Sequence, residues 1–222
     1  MVNYSISQSN LGAVRKLIFD LDDTLLFISD EWYDVFRDFV DRFDLPISVE
    51  DFYCAIAEME KQNPDKYITK ELFTAIIREK VTPKFDDVAY DGFLEGYAKI
   101  PLVDINKVQN VLTYLSNKYE LIVYSNWFTD NQTLRLKLNG MDKYFSKIWG
   151  WDLLPAKPSR KGLAEIVGND DVKDYVFIGD NLDCDIRLPD SIGMGTIFLN
   201  RRNISQNQFR EIGSVSELRD IL

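Results

Sequence analysis

The sequence predicts an α/β fold: a parallel sheet core with helices on both faces, plus an inserted α-helical bundle. Three observations point there. Short apolar runs recur at strand length, Leu17-Ile18-Phe19, "ELIVY" ending at Tyr124 and "YVFIG" ending at Gly179, and continuous rather than alternating apolar runs mark strands buried on both faces. After Pro101 such runs alternate with helical patterns, which implies parallel strands joined by right-handed crossovers. Between the first run and Pro101, however, no strand pattern occurs, and Pro46, Pro64, Pro83 and Pro101 mark off helix-length segments.

Taken in order, residues 1–12 are polar and read as loose. The first strand follows, the chain leaves it through Thr24-Leu25-Leu26, and Thr24 to Ile28 read as a hinge into the insert. From Ser29, Trp32, Val35, Phe36, Phe39, Val40 and Phe43 share one helical face. Ser48, with Asp51 three residues on, types the start of a second helix carrying Phe52, Ile56 and Met59. Thr69 can cap a third, with Leu72, Phe73, Ile76 and Ile77. A fourth carries Phe85, Val88, Phe93 and Tyr97. Residues 27–103 thus form a helical cap, and 1–26 with 104–222 form the core.

The core continues with an amphipathic helix from Asp104 to Lys118, then the "ELIVYSN" strand, which ends on Ser125 and Asn126. A short helix over Asn131–Leu138 leads to a third strand in "SKIWGWD". Ser159 is well typed as the N-cap of the next helix. "YVFIGDNLDCDI" is a fourth strand followed by acids, "GMGTIFLN" a fifth, and Ser216–Leu222 a closing helix. Such an order is Rossmann-like.

Composition excludes several classes. The formal charge of the 222 residues is −10, which argues against nucleic acid and anionic membrane as partners. No histidine occurs, which removes histidine-based triads, bases and metal sites. Cys54 and Cys184 form no CxxC pattern and suit a reducing, cytoplasmic setting. No basic leader and no run of membrane-spanning length is present. The sequence does not encode the oligomeric state in any legible way.

Polar groups then gather at the strand ends: Asp20 and Asp22 after the first strand, Ser125 after the second, Lys157 in a loop, and Asp180 with Asp185 after the fourth. Open α/β sheets bind ligands at the carboxyl ends of their strands. Asp20 and Asp22 point the same way in an extended chain, and two such acids repel unless a cation shares the site.

This order resembles the haloacid dehalogenase-like hydrolase superfamily over essentially the whole chain. "DLDDT" is similar to its first motif, Ser125 in "IVYSN" to the second, Lys157 in "AKPS" to the third, and "GDNLDCD" to the fourth. The resemblance implies Asp20 as nucleophile, Asp22 as general acid and base, and Lys157 as the neutralising cation. It implies Mg²⁺ held by the side chains of Asp20 and Asp180 and the backbone carbonyl of Asp22. Ser125, with Asn126 beside it, would hold a phosphoryl oxygen. Asp185 would orient the metal or Lys157. Dehalogenases of the superfamily typically lack an acid at the position of Asp22, so the resemblance implies a phosphatase acting on a small phosphorylated metabolite.

The chemistry is consistent with those residue types. A carboxylate attacking phosphorus splits one displacement into two, and the charge repulsion this meets must be neutralised by a metal ion and a lysine. Hard oxygen ligands suit Mg²⁺. Cys184 stands where many relatives carry Asn; among acids its thiol is a poor nucleophile. Two other readings stay open: a phosphomutase or phosphonate hydrolase of the same superfamily, and a phospho-acceptor switch of the receiver kind. The cap cations Lys61, Lys66, Lys70, Arg78, Lys80 and Lys84 read as a solvated face, with a grip on a second anionic group as the alternative.

Overall fold

The computed structural model describes residues 14–201 and 208–222. The N-terminal stretch expected to be loose lies outside the described residues. The chain opens with β1 (Lys16–Phe19) and a short β2 (Phe27–Ile28), followed by four helices: α1 (Trp32–Arg42), α2 (Val49–Gln62), α3 (Lys70–Lys80) and α4 (Asp87–Ala98). Next come β3 (Leu102–Val103), α5 (Ile105–Ser116), β4 (Glu120–Tyr124), α6 (Thr129–Leu138), β5 (Phe145–Trp149) and α7 (Arg160–Val167). The chain ends with β6 (Tyr175–Gly179), α8 (Arg187–Ser191), β7 (Gly195–Leu199), β8 (Glu211–Ile212) and α9 (Leu218–Ile221).

Six strands pair in the order β5-β4-β1-β6-β7-β8, every pair parallel. Alternate residues of one strand face opposite sides, and the core divides accordingly. Leu17, Phe19, Leu121, Val123, Val176 and Ile178 pack with Leu112 of α5 and Leu218 of α9 on one face. Ile18, Ile122, Tyr124 and Phe177 pack with Leu163 of α7 on the other. This is the expected α/β, Rossmann-like sheet covered on both sides. The chain winds away from β1 in both directions, so the carboxyl end of β1 lies in the crevice that such sheets use for ligands.

The four inserted helices share an aromatic cluster built on Phe36, Phe39, Phe52, Phe73, Phe85 and Phe93. Trp127, Phe128 and Trp151, from the loops after β4 and β5, belong to the same cluster. Backbone bonds also cross between insert and core: Asp65 N–H to Ala156 O at 2.8 Å, Ala156 N–H to Lys66 O at 2.7 Å, and Ile68 N–H to Trp151 O at 2.8 Å. Ser48 and Thr69 cap α2 and α3 through the amides of Asp51 and Leu72.

Several expectations need correction. α4 is capped by Asp86, so Phe85 precedes the helix and Val88 faces solvent. α6 starts at Thr129, earlier than the apolar pattern suggested. β2 pairs antiparallel with β3, and neither these strands nor β8 was foreseen, because two residues carry no periodicity. Thr24, Leu25 and Leu26, the first residues of the expected hinge, are buried.

Candidate active site

β1 lies between β4 and β6 in matched register, Phe19 aligning with both Val123 and Ile178. Neighbouring strands run about 4.8 Å apart, so the residues that follow their ends converge. The Asp20 amide continues the ladder, donating to Ile178 O at 3.0 Å. Beyond it the chain folds tightly: Thr24 and Leu25 donate to Leu21 O, with Asp23 in the left-handed region at φ 59°, a conformation Asp tolerates better than most residues. This turn buries Thr24, whose hydroxyl lies 3.2 Å from Asp20 Oδ2 and 3.3 Å from Asp180 Oδ1. It can donate to one of them at a time.

Lys157 reaches the same point from the loop before α7. Its Nζ donates to Asp20 Oδ1 at 2.6 Å and to Asp185 Oδ1 at 2.7 Å, and its side chain is only 3% exposed. The loop is held by Asn126, whose Oδ1 accepts from the Lys157 amide at 2.6 Å and whose Nδ2 donates to Lys157 O at 3.1 Å. The same Nδ2 donates to Glu60 Oε1 of α2 at 2.8 Å. The Asn126 side chain is thus bonded to the Lys157 loop and to α2, and the contact expected with a phosphoryl oxygen is through a backbone N–H. Ser159 then caps α7 through the Gly162 amide.

Asp180 follows β6, and Asp185 lies on the single π-helical turn Leu182–Ile186. Such turns are rare and recur at functional sites. Asp185 Oδ2 accepts from the Asn181 amide at 3.1 Å. A Cβ on Gly179 would come within 2.3 Å of that oxygen, so the approach of Asp185 to β6 requires glycine there. Asp20, Asp180 and Asp185 each place a carboxylate oxygen within 4.8 Å of the others. These hard oxygen donors fit a divalent cation of the Mg²⁺ kind.

Electrostatics sharpen this picture. Burial pushes the Asp20 carboxyl well above its ordinary range; Lys157 opposes the shift, and Asp185 and Asp180 add to it. Burial, then Asp185 and Asp23, pushes Asp180 up to about 7. Burial works against the charge on Lys157, yet Asp185 and Asp20 hold its ammonium well above the usual lysine range. The Cys184 thiol is half-buried and pushed up to about 12, chiefly by burial, which leaves it protonated and inert.

Asp22 projects from the same turn but does not touch this cluster. Its Oδ1 accepts from Arg135 Nη1 at 2.6 Å and its Oδ2 from Gln132 Nε2 at 2.7 Å. Tyr97 of α4 places its hydroxyl 3.4 Å from Oδ1. Gln132 also donates to Ser125 Oγ at 2.8 Å, tying Asp22 to Ser125. Arg135 and Gln132 carry no motif that marks them in the sequence. Their signal was inverted, because α6 buries these polar residues while Leu134 and Leu138 are 42% and 58% exposed.

Fold and site together define an α/β protein with an acid–lysine cluster at the carboxyl end of its central parallel strand. The family model of haloacid dehalogenase-like hydrolases matches residues 17–199, and the chain belongs to that family. Solved structures share the fold. A protein named as the HAD-hydrolase YfnB from Bacillus subtilis, bound to magnesium, is 18% identical with a TM-score of 0.76, over 94% of this chain and 98% of that one. The 2-haloacid dehalogenase of Pseudomonas syringae pv. Tomato is 22% identical with a TM-score of 0.70, over 94% and 97%. A protein of Haemophilus somnus described as a predicted phosphoglycolate phosphatase is 19% identical with a TM-score of 0.66, over 98% and 99%. A search of curated proteins by sequence found no match. No helix among the described residues is long and apolar enough to cross a membrane.

Proposed function

We propose that this hydrolase is a Mg²⁺-dependent phosphatase that cleaves a small phosphate monoester through an aspartyl-phosphate on Asp20. Asp22 is the observation that carries the reading. A departing halide needs no proton, whereas a departing alkoxide does, and an acid anchored beside the nucleophile has work only in the second case. In the first step an Asp20 oxygen bonds to phosphorus, the ester P–O bond breaks, and the leaving oxygen takes a proton from Asp22. In the second, water attacks phosphorus, Asp22 takes its proton, and orthophosphate departs with Asp20 restored.

Asp22 must be protonated for the first step and ionised for the second, and Arg135 and Gln132 hold its carboxyl group in place for both. Lys157 neutralises a phosphoryl oxygen and holds Asp20 in line. The Ser125 hydroxyl, kept in place by Gln132, donates to another. Asp20 and Asp180 would hold Mg²⁺ with the Asp22 carbonyl, and Asp185 would orient Lys157. When bound, the cation supplies charge neutralisation for a buried carboxylate and an anionic ester. Residues 27–103 act as the cap that closes over residues 1–26 and 104–222.

Steady turnover of p-nitrophenyl phosphate with Mg²⁺, abolished by EDTA and by Asp20→Asn, is the expected result. A single burst without turnover points to a phospho-acceptor switch. Release of halide from a haloacid, with no phosphate released from any ester, removes the phosphatase reading.

A further inference from the structure

The crevice above Asp20 has a volume of about 770 Å³, and its walls differ. The core wall carries the acid–lysine cluster. On the insert side, α2 presents Tyr53, Ile56, Ala57 and Glu60 to the crevice. Their i, i+3, i+4, i+7 spacing makes one helical stripe. The opposite face of α2, with Phe52, Ala55 and Met59, is buried in the aromatic cluster. Tyr97 and Trp127 extend the α2 stripe with aromatic surface.

Charge on this wall is one-sided. Glu60 is half-buried, accepts from Asn126, and forms no ion pair among the described residues. None of the six cap cations lines the crevice; Lys70, Lys80 and Lys84 pair with Asp91, Glu58 and Asp44 on the outer surface instead. Among the described residues, six of the lining side chains are carboxylic and two cationic, Lys157 and Arg201. Lys157 is occupied by Asp20 and Asp185. Arg201 belongs to the core side, 4.1 Å over the Phe27 ring. The insert therefore faces the alcohol half of the substrate with a lone carboxylate set among aromatic and aliphatic groups.

We infer that the ester cleaved here has an alcohol half with no second anionic group, presenting an amine or hydroxyl donor to Glu60. The inference rests on the phosphatase reading and deepens it. A carboxylate on the leaving group would face Glu60 in a confined, partly desolvated space, and like charges so placed oppose binding strongly. An ammonium gains the opposite contribution, with the aromatic faces adding cation–π attraction. A hydroxyl donates to Glu60 without either charge effect. Phosphoglycolate, the substrate in the name of the Haemophilus somnus neighbour, is thus expected to be a poor substrate for this chain.

Three two-carbon esters of nearly equal size separate the charge effect: aminoethyl, hydroxyethyl and carboxymethyl phosphate, the last being phosphoglycolate. With Mg²⁺, kcat/KM should fall in that order, with carboxymethyl phosphate about tenfold or more below hydroxyethyl phosphate. In Glu60→Gln the spread should narrow, carboxymethyl phosphate gaining on both others. These are ratios within one enzyme, so a partly folded variant does not distort them, and the wild-type order alone is decisive should the variant fail to fold. Carboxymethyl phosphate as the best or an equal substrate overturns the inference, as do ratios indifferent to Glu60→Gln. p-Nitrophenyl phosphate is run alongside: its turnover keeps the phosphatase reading standing when the order is wrong, and failure of all four esters overturns that reading instead.

Discussion

Arg135 Nη1 lies 2.6 Å from Asp22 Oδ1, and the guanidinium is 1% exposed while the carboxylate side chain is 36% exposed. Burial disfavours the arginine's charge, but Asp22 and Tyr97 more than offset it and raise its affinity for its proton further. The Tyr97 ring lies 4.6 Å from the guanidinium carbon. The partner of the proposed general acid is thus fixed between a helix of the core and a ring from the insert, and it sets where Asp22 rests.

Arg135→Met should lower kcat by about 10- to 100-fold, because a small displacement of an acting group costs on that scale. Arg135→Lys should not restore it, since an ammonium cannot reproduce the planar contact with Tyr97 and Asp22. Steady-state kinetics on an alkyl phosphate, with circular dichroism to verify folding, checks both.

Asp22→Asn should separate good leaving groups from poor ones. An alkyl phosphate should lose roughly 10²–10⁴-fold in kcat, the usual contribution of general acid catalysis. p-Nitrophenyl phosphate, whose leaving group departs without a proton, should lose far less in its first step. Equal losses on both esters would remove Asp22 from proton transfer.

Lys157→Met should leave Asp20 and Asp185 buried without their cation. Breaking a buried pair from one side costs about 3–5 kcal/mol. Urea unfolding in EDTA should show a loss of that order at about pH 8 and a smaller one near pH 5, because the raised carboxyl of Asp20 takes up a proton as pH falls.

Metal binding should depend on pH with a definite sign. Asp180 is raised to about 7 and Asp20 is raised as well, so in EDTA the folded protein binds more protons than the unfolded chain between the two sets of values. The stability contribution of these groups is therefore full below the unfolded carboxylate range and lost as pH rises through about 7. Mg²⁺ needs the ionised acids, so the gain in Tm on adding it should be larger at about pH 8 than near pH 5. A gain that shrinks with rising pH would contradict this account of the cluster.

What the sequence revealed followed from continuity along the chain. Asp20, Ser125 and Asp180 were legible because each trails an apolar run, and a parallel sheet brings such ends together. Lys157 was legible through its motif alone, since nothing in a loop predicts the burial it undergoes. Arg135, Gln132 and Glu60 were not legible, for one shared reason. Each is a polar residue on a helix, and helical pattern reading sends polar residues to solvent, whereas α6 buries its pair against Asp22 and α2 turns Glu60 toward the crevice. Thr24 was read as part of a hinge; its burial follows from the turn after Asp20, whose long-range partner Asp180 no local pattern announces.

The small ribbon of β2 and β3 has a topological consequence. Ser29 N–H donates to Pro101 O at 2.8 Å, so the chain departs for the insert and comes back through a single doorway. A hairpin turn could join those ends in place of residues 30–100, and closing so short a connection costs little entropy. The obstacle to such a deletion is elsewhere, in Trp127, Phe128 and Trp151, which would be stripped of their aromatic neighbours and laid open to water. The hydrolase could be shortened at its doorway only by also rewriting the greasy floor beneath it.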